Sequence, residues 1–281
     1  MLRMRNILTV LCTLALSLTA FAANEKNYTY LALGDSVAYG YITDRVAPPE
    51  TFVGYPEIVA SALHLLKSGK EVNASCPGQS SFTFLYGGLD IGCDGIRSTI
   101  GLHTNYTGTQ ANFAVSQLLS NKHISLVTLN IGGNDLSLLQ QYCAKGDPVL
   151  FAGCIETGIK GVLTEYARNL TKIFTAIRVS GGYAGTLVLL TQYSPSGNPL
   201  FVNAVGALNQ YAASIGTAFG ARIADGFTAF LNASVPFGGD PCAAGLLVRT
   251  SANSCDIHPS PLGRDLLAAT VLRAIEDAPK H

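Results

Sequence analysis

Four residues of the types that acyl transfer requires lie in four separate segments of this chain. Ser36 closes Leu33-Gly34-Asp35-Ser36, Gly78 sits in Cys76-Pro77-Gly78-Gln79-Ser80, Asn134 in Ile131-Gly132-Gly133-Asn134-Asp135, and His258 in Asp256-Ile257-His258-Pro259. A serine hydroxyl is a poor nucleophile until a base takes its proton, and histidine, with a free pKa of about 6.5, suits that task near neutral pH. Ser36 and His258 are the natural pair. Ester hydrolysis passes through a tetrahedral oxyanion, which must be met by donors already in place. The Gly78 N–H, the uncharged side-chain amide of Asn134 and the Ser36 N–H can form such an oxyanion hole. Taken singly, each segment is ordinary: Gly-Asp-Ser is a common turn or helix cap, and Pro-Gly and Gly-Gly-Asn-Asp are common turns.

The elements around these residues give them a common location. Tyr28 to Leu33 reads as a short apolar strand, and Ile58, Val59, Ala62, Leu63 and Leu66 are spaced as on a helix over Tyr55 to Leu66. Glu71 to Ala74 is a weaker strand, Thr109 to Leu119 a helix, and Ile124 to Ile131 the clearest buried strand. A helix over Leu163 to Val179, a strand over Thr186 to Thr191, a small-residue helix over Val202 to Ala218 and a short strand over Ala221 to Ala224 come next. A helix over Pro261 to Glu276 closes the chain, with proline in its first turn. Strands alternating with helices imply an α/β fold, a parallel sheet covered on both faces. Ligands of such sheets bind beyond the carboxyl ends of the strands. Ser36, Gly78 and Asn134 come after the first three strands, so they are expected on one rim, to which His258 can fold back.

Together and in this order, these residues resemble the GDSL/SGNH hydrolase family. Gly34-Asp35-Ser36 matches the nucleophile block and Gly132-Gly133-Asn134-Asp135 the asparagine block, and Ser36, Gly78, Asn134 and His258 match the four residues of the second name. The resemblance spans about Tyr28 to Ile275. It implies a three-layer α/β/α sandwich with a flavodoxin-like parallel sheet, and ester hydrolysis through an acyl-enzyme on Ser36 with His258 as general base. No Gly-x-Ser-x-Gly elbow surrounds Ser36, which separates it from the α/β-hydrolase pattern. The family's usual pattern has an aspartate three residues before the histidine, whereas here that position is Cys255 and Asp256 is two before. Either the Asp256 carboxylate orients His258, or a backbone carbonyl near Cys255 does so and leaves a Ser-His dyad. Asp35 is expected to tie down the nucleophile loop, and Asp135 to cap the segment after Asn134.

The chain has 281 residues, enough for one large domain. Lys+Arg and Asp+Glu balance at 18 each and only 13% of residues are charged, so no global field is available to hold nucleic acid. Met1-Leu2-Arg3-Met4-Arg5, the apolar stretch Ile7 to Leu18 and Ala20-Phe21-Ala22 form the three parts of a secretory signal peptide. Residues 1–22 are therefore expected to be removed on export, leaving 23–281 as the secreted, extracellular hydrolase domain. The apolar stretch is shorter than the roughly 20 residues a membrane span needs. Without Cys12, six cysteines remain, which in an oxidising compartment read as three disulfides. The spacing favours the local pairs Cys76–Cys93, Cys143–Cys154 and Cys242–Cys255, each closing a short loop worth on the order of 3 kcal/mol before strain. A zinc site lacks any Cys-x-x-Cys spacing, and no metal, nucleotide or flavin motif is present, so no cofactor is expected.

The expected partner is a small-molecule, lipid or acylated-carbohydrate ester, acted on by a monomer. Two long stretches, Ser81 to Gly108 and Asn232 to Asn253, are candidate pocket walls, with Phe82, Phe84, Leu85, Tyr86 and Phe237 suited to an acyl chain. A lipase or broad carboxylesterase is the leading reading; a carbohydrate acetylesterase and a catalytically silent binding protein on the same fold are the alternatives. Sequons begin at Asn27, Asn73, Asn105, Asn169 and Asn232. The remaining histidines, His64, His103, His123 and His281, read as surface or core filling.

Overall fold

The computed structural model describes residues 28–66, 69–88, 93–252 and 254–277, so the expected signal peptide over residues 1–22 and the Asn27 sequon lie outside it. Its centre is a five-stranded parallel sheet of β1 (Thr29–Gly34), β2 (Glu71–Asn73), β3 (Ile124–Asn130), β4 (Thr186–Leu190) and β5 (Arg222–Ala224) in the order β2-β1-β3-β4-β5. This is the flavodoxin-like order, whose switch point falls between β1 and β3.

Successive side chains on a strand point to opposite faces, and here both faces are buried. Leu31, Leu33, Val127, Leu129, Leu187 and Leu189 pack in one core with α5 (Gln110–Ser120), α7 (Phe151–Thr175) and α8 (Pro199–Ala218). Tyr30, Ala32, Leu126, Val188 and Leu190 pack in the other with α2 (Tyr55–Ala62) and α10 (Pro261–Glu276). The buried polar residues of β3 find partners inside the sheet. The Thr128 hydroxyl is met by Tyr30 Oη at 2.7 Å and Tyr55 Oη at 3.3 Å, and Asn130 Nδ2 donates to Leu190 O at 2.9 Å. The result is the α/β/α sandwich.

Short elements crown the carboxyl rim. Ser36 opens α1 (Ser36–Tyr39), and the stretch Ser81 to Gly108, a candidate pocket wall in the sequence, contains α3 (Ser81–Tyr86) and α4 (Cys93–Thr99). Asn134 lies in the first turn of α6 (Gly133–Ala144), a helix hidden in the sequence by its Gly-Gly-Asn-Asp opening. Helix α7 begins at Phe151, well before the expected Leu163; Gly153, Gly158 and Gly161 lower the propensity of its first turns, which hides them in the sequence without breaking the helix. The stretch after Asn232 holds regular elements too: α9 (Gly226–Ser234) runs into it, and a separate antiparallel hairpin, β6 (Leu247–Ser251) and β7 (Ser254–Pro259), carries Asp256 and His258. Disulfides join Cys76–Cys93, Cys143–Cys154 and Cys242–Cys255. Among the described residues no helix is long and apolar enough to cross a membrane. Two sequons are inaccessible, since Asn73 and Asn169 are buried; Asn105 and Asn232 are exposed.

Gly34 ends β1 with φ +148°, and a Cβ there would stand 2.4 Å from Asn130 O of β3. Neither the angle nor the clearance admits a side chain. Gly34→Ala is expected to destabilise the protein by roughly 2–4 kcal/mol, read as a fall in the thermal midpoint, whereas Gly153→Ala, at an open position on α7, leaves the midpoint unchanged or raises it.

Candidate active site

The rim assembles around the turn at the end of β1. Asp35 caps α1 by accepting the Val37 N–H on Oδ1 at 3.0 Å, which fixes Ser36 as the first helical residue, 8% exposed. Gln110, fully buried at the start of α5, accepts the Gly34 N–H on Oε1 at 2.6 Å and donates from Nε2 to Gly34 O at 2.9 Å. The same Nε2 donates to Gln79 Oε1, beside Gly78. Cys76 N donates to Gly34 O at 3.0 Å, so the loop that presents Gly78 is hung from the nucleophile turn by its own backbone. Asn134 Nδ2 donates to Gln79 O at 2.9 Å, which orients the amide; a side-chain amide has two N–H groups, so the second can serve a substrate.

Asp135, expected to cap the segment after Asn134, lies in the first turn of α6 and also reaches across the rim. Its carboxylate accepts Ser81 N at 2.9 Å and Ser81 Oγ at 2.5 Å, tying the first turn of α6 to α3 across the rim.

His258 is brought to the rim by β7, and the same strand carries Asp256. Asp256 and His258 are two apart on a β-strand, so their side chains leave on one face. Both carboxylate oxygens of Asp256 lie 3.0 Å from His258 Nδ1. An ionised carboxylate only accepts, so Nδ1 is the donor in this pair, and in a neutral ring Nε2 is the nitrogen left as acceptor. Thr43 supports the pair from the loop after α1, donating its N–H to Asp256 Oδ2 at 3.0 Å and placing Oγ1 3.4 Å from His258 Nδ1. Tyr41 meets the imidazole edge-on, with centroids 5.3 Å apart. Tyr193 Oη donates to Ile257 O at 2.6 Å, and Cys255 is anchored to Cys242. No sequence signal marks Thr43, Tyr41, Gln110 or Tyr193, because their partners are far away in the chain.

Ser36, Gly78, Asn134 and His258 all line one open cleft of about 340 Å³. A second, narrower cavity of about 90 Å³ starts from Ser36, Asn134 and His258 and runs between α6, α7 and α8. The aromatic residues expected to hold an acyl chain are elsewhere. Phe84 is core, Phe82 and Tyr86 are half exposed against each other, and the walls come from residues that no sequence pattern singles out. Among the described residues no cluster of three or more His, Cys, Asp or Glu side chains is arranged to hold a metal ion.

The two acids nearest the serine and histidine have opposite environments. Burial works against the charged form of Asp256, but hydrogen bonding and charge attraction from His258, with hydrogen bonds from Thr43, outweigh it and hold the carboxyl well below the usual carboxylate range. Asp35 is 2% exposed, and burial, reinforced by the charge of Asp135, pushes its carboxyl up to about 7 despite the Val37 hydrogen bond.

The flavodoxin-like sheet places a serine after its first strand, and the β6–β7 hairpin a His-Asp pair, at the carboxyl rim where ligands of such sheets bind. The model of the GDSL-like lipase/acylhydrolase family matches residues 32–266, and the chain belongs to that family. Among solved structures it is similar to phospholipase A1 from Streptomyces albidoflavus NA297, with 18% identity and a TM-score of 0.60, covering 88% of this chain and 99% of that one. It is also similar to the acetylxylan esterase Axe2 from Geobacillus stearothermophilus, with 18% identity, a TM-score of 0.54 and coverage of 89% and 96%. A lipase from a goat rumen metagenome matches with 15% identity, a TM-score of 0.57 and coverage of 88% and 97%. At these identities the likeness is one of fold. No curated protein sequence matches the chain.

The Asp35 environment makes stability depend on pH. The unfolded chain releases this proton near 3.8, while the folded protein keeps it to about 7, so the native state binds more protons between those values. Stability from this group therefore falls as pH rises from about 4 to about 7 and levels off above. Urea midpoints of the wild type and Asp35→Asn are expected to converge at low pH and to separate as pH rises, by on the order of 2–4 kcal/mol in favour of the variant.

Proposed function

We propose that this protein hydrolyses carboxylic esters through a Ser36 acyl-enzyme, with His258 as general base, Asp256 as the acid that orients and stabilises it, and Ser36 N, Gly78 N and Asn134 Nδ2 as the oxyanion hole. The observation that carries this reading is the Asp256–His258 pair, held at 3.0 Å on the face of β7 and opening into the cleft that Ser36, Gly78 and Asn134 share.

Ser36 Oγ attacks the ester carbonyl carbon as its proton passes to His258 Nε2. The carbonyl oxygen takes up negative charge and is met by the backbone and amide donors. Collapse of this intermediate breaks the bond to the alcohol oxygen, which leaves with the proton from His258. Water, deprotonated by the same nitrogen, then releases the carboxylic acid and restores Ser36. The Asp256 carboxylate favours the imidazolium formed in each half-reaction. A phospholipase and an acetylxylan esterase among the similar structures are both named for carboxylic-ester cleavage, which supports the bond type.

We infer export for the same protein. The amino-terminal composition fits a cleaved signal, and three disulfides accord with an oxidising compartment.

Two variants test the mechanism on p-nitrophenyl esters. Ser36→Ala is expected to reduce turnover to background. Asp256→Asn is expected to keep the hydrogen bond geometry yet lower kcat by about 10³–10⁴-fold with little change in KM, the signature of a lost transition-state charge. Full activity in Ser36→Ala overturns the acyl-enzyme, and an Asp256→Asn variant with wild-type kcat reduces the site to a dyad.

A further inference from the structure

The narrow cavity beside Ser36 has predominantly apolar walls. Leu136 and Leu139 come from α6, Ile155 and Ile159 from α7, and Phe201 and Val205 from α8. Its polar lining includes Asp35 and Gln192 beside the nucleophile turn, with Gln192 Oε1 3.1 Å from where a Gly133 Cβ would be, and Ser137 and Gln140 on α6. Its volume of about 90 Å³ is several times the ~10–15 Å³ that a single water-sized probe requires. An acetyl methyl leaves most of this space unused.

The open cleft on the other side of Ser36 is wider and mixed, bounded by Tyr41, Pro77, Gly78, Ile96 and Gln141. The alcohol must leave and water must enter after the first half-reaction, and an open cleft permits both. An alkyl chain is held best where apolar side chains surround it and water is excluded.

We propose that the acyl group of the substrate is an unbranched aliphatic chain longer than acetyl, threaded between α6, α7 and α8, and that Leu139 sets its length. This rests on the Ser36 acyl-enzyme reading. The position of Leu139 is set from behind. Gly158 of α7 faces it, and a Cβ at position 158 would stand 2.4 Å from Leu139 Cδ1 and 3.3 Å from Cδ2. Any larger residue at 158 must therefore displace the Leu139 side chain, which is itself a wall of the cavity. Cys143–Cys154 joins the end of α6 to the first turn of α7, so the two helices cannot simply part to relieve the clash. Gly158 touches neither the serine nor the histidine and acts only through Leu139.

The test is kcat/KM for p-nitrophenyl esters from acetate to palmitate, measured on the wild type, Ser36→Ala, Gly158→Ala and Leu139→Ala. The wild type is expected to rise from acetate to an optimum between butyrate and decanoate, by up to about tenfold for each two methylenes buried. Gly158→Ala is expected to lose about tenfold or more on the optimal ester while acetate hydrolysis is unchanged, moving the optimum to shorter chains. Leu139→Ala is expected to move it to longer ones. Serine-dependent activity that falls steadily from acetate in the wild type, or an optimum unmoved in both variants, overturns the aliphatic-chain proposal and leaves the acyl-enzyme standing; the first result points to a deacetylase. Should Gly158→Ala fail to fold, the Leu139→Ala profile decides. Activity that persists in Ser36→Ala overturns the underlying mechanism instead, so the two failures are distinct.

Discussion

The close approach of Gly34 to β3 is the constraint on which the rest of the site depends. At this point β1 and β3 run side by side, with Gly34 opposite Asn130, and the chain turns without a side chain to obstruct it. The Gly34 peptide groups then become the common anchor of three segments. Gln110 binds both the N–H and the C=O, Cys76 N donates to the same carbonyl, and Asp35 N donates to Asn130 O at 3.3 Å. Through these bonds the loops bearing Ser36, Gly78 and Asn134 share one origin. A buried polar group without a partner costs more than a typical hydrogen bond gains, so Gln110 acts less by adding stability than by permitting a single arrangement of the rim.

The contrast between Asp35 and Asp256 arises from that arrangement. Asp35 lies inside the turn, where its capping bond to Val37 is too small to repay the loss of water, and it keeps its proton to about 7. Asp256 stands on a hairpin at the rim, where His258 and Thr43 supply hydrogen bonds and His258 supplies charge. Two carboxyl groups on the same rim are thus pushed in opposite directions by their surroundings. An ionised carboxylate accepts the Nδ1–H hydrogen bond and favours an imidazolium, and under the proposed mechanism that part falls to Asp256 even though it stands one residue closer to the histidine than the usual pattern places it.

Much of this is legible in the sequence, and the parts that are not have common causes. The strand β3, the alternation of strands and helices and the rim placement of Ser36, Gly78 and Asn134 can be read from apolar runs and from the rule for parallel sheets. The order of the strands rests on a family resemblance rather than on periodicity, because strands buried on both faces show no polar alternation that would distinguish centre from edge. The hairpin bearing His258 escapes a local reading because β6 reads Leu-Val-Arg-Thr-Ser and is mostly exposed; tertiary contacts and Cys242–Cys255 hold it, not its own pattern. Without that strand the role of Asp256 stays open, since the i, i+2 pairing works only if the segment is extended. Thr43 and Gln110 are invisible for a different reason. Their value lies in partners 213 and 76 residues away, which no local rule reaches.

The disulfides show where the fold lacks other means of support. None crosses the sheet, whose two faces are already packed by helices. Cys76 instead lies two residues before Gly78, Cys255 immediately before Asp256, and Cys143 and Cys154 on two of the three helices that wall the narrow cavity. A rim segment contributes few apolar side chains to either core, so the entropy of ordering it is not offset by burial, and each bridge removes part of that entropy by closing a short loop. The parallel sheet fixes where the strand ends lie, and the bridges limit how far the segments beyond them can depart. A site built on loops thereby acquires the precision of one built on strands, and that precision is what pre-positioned oxyanion donors and a hydrogen-bonded histidine require.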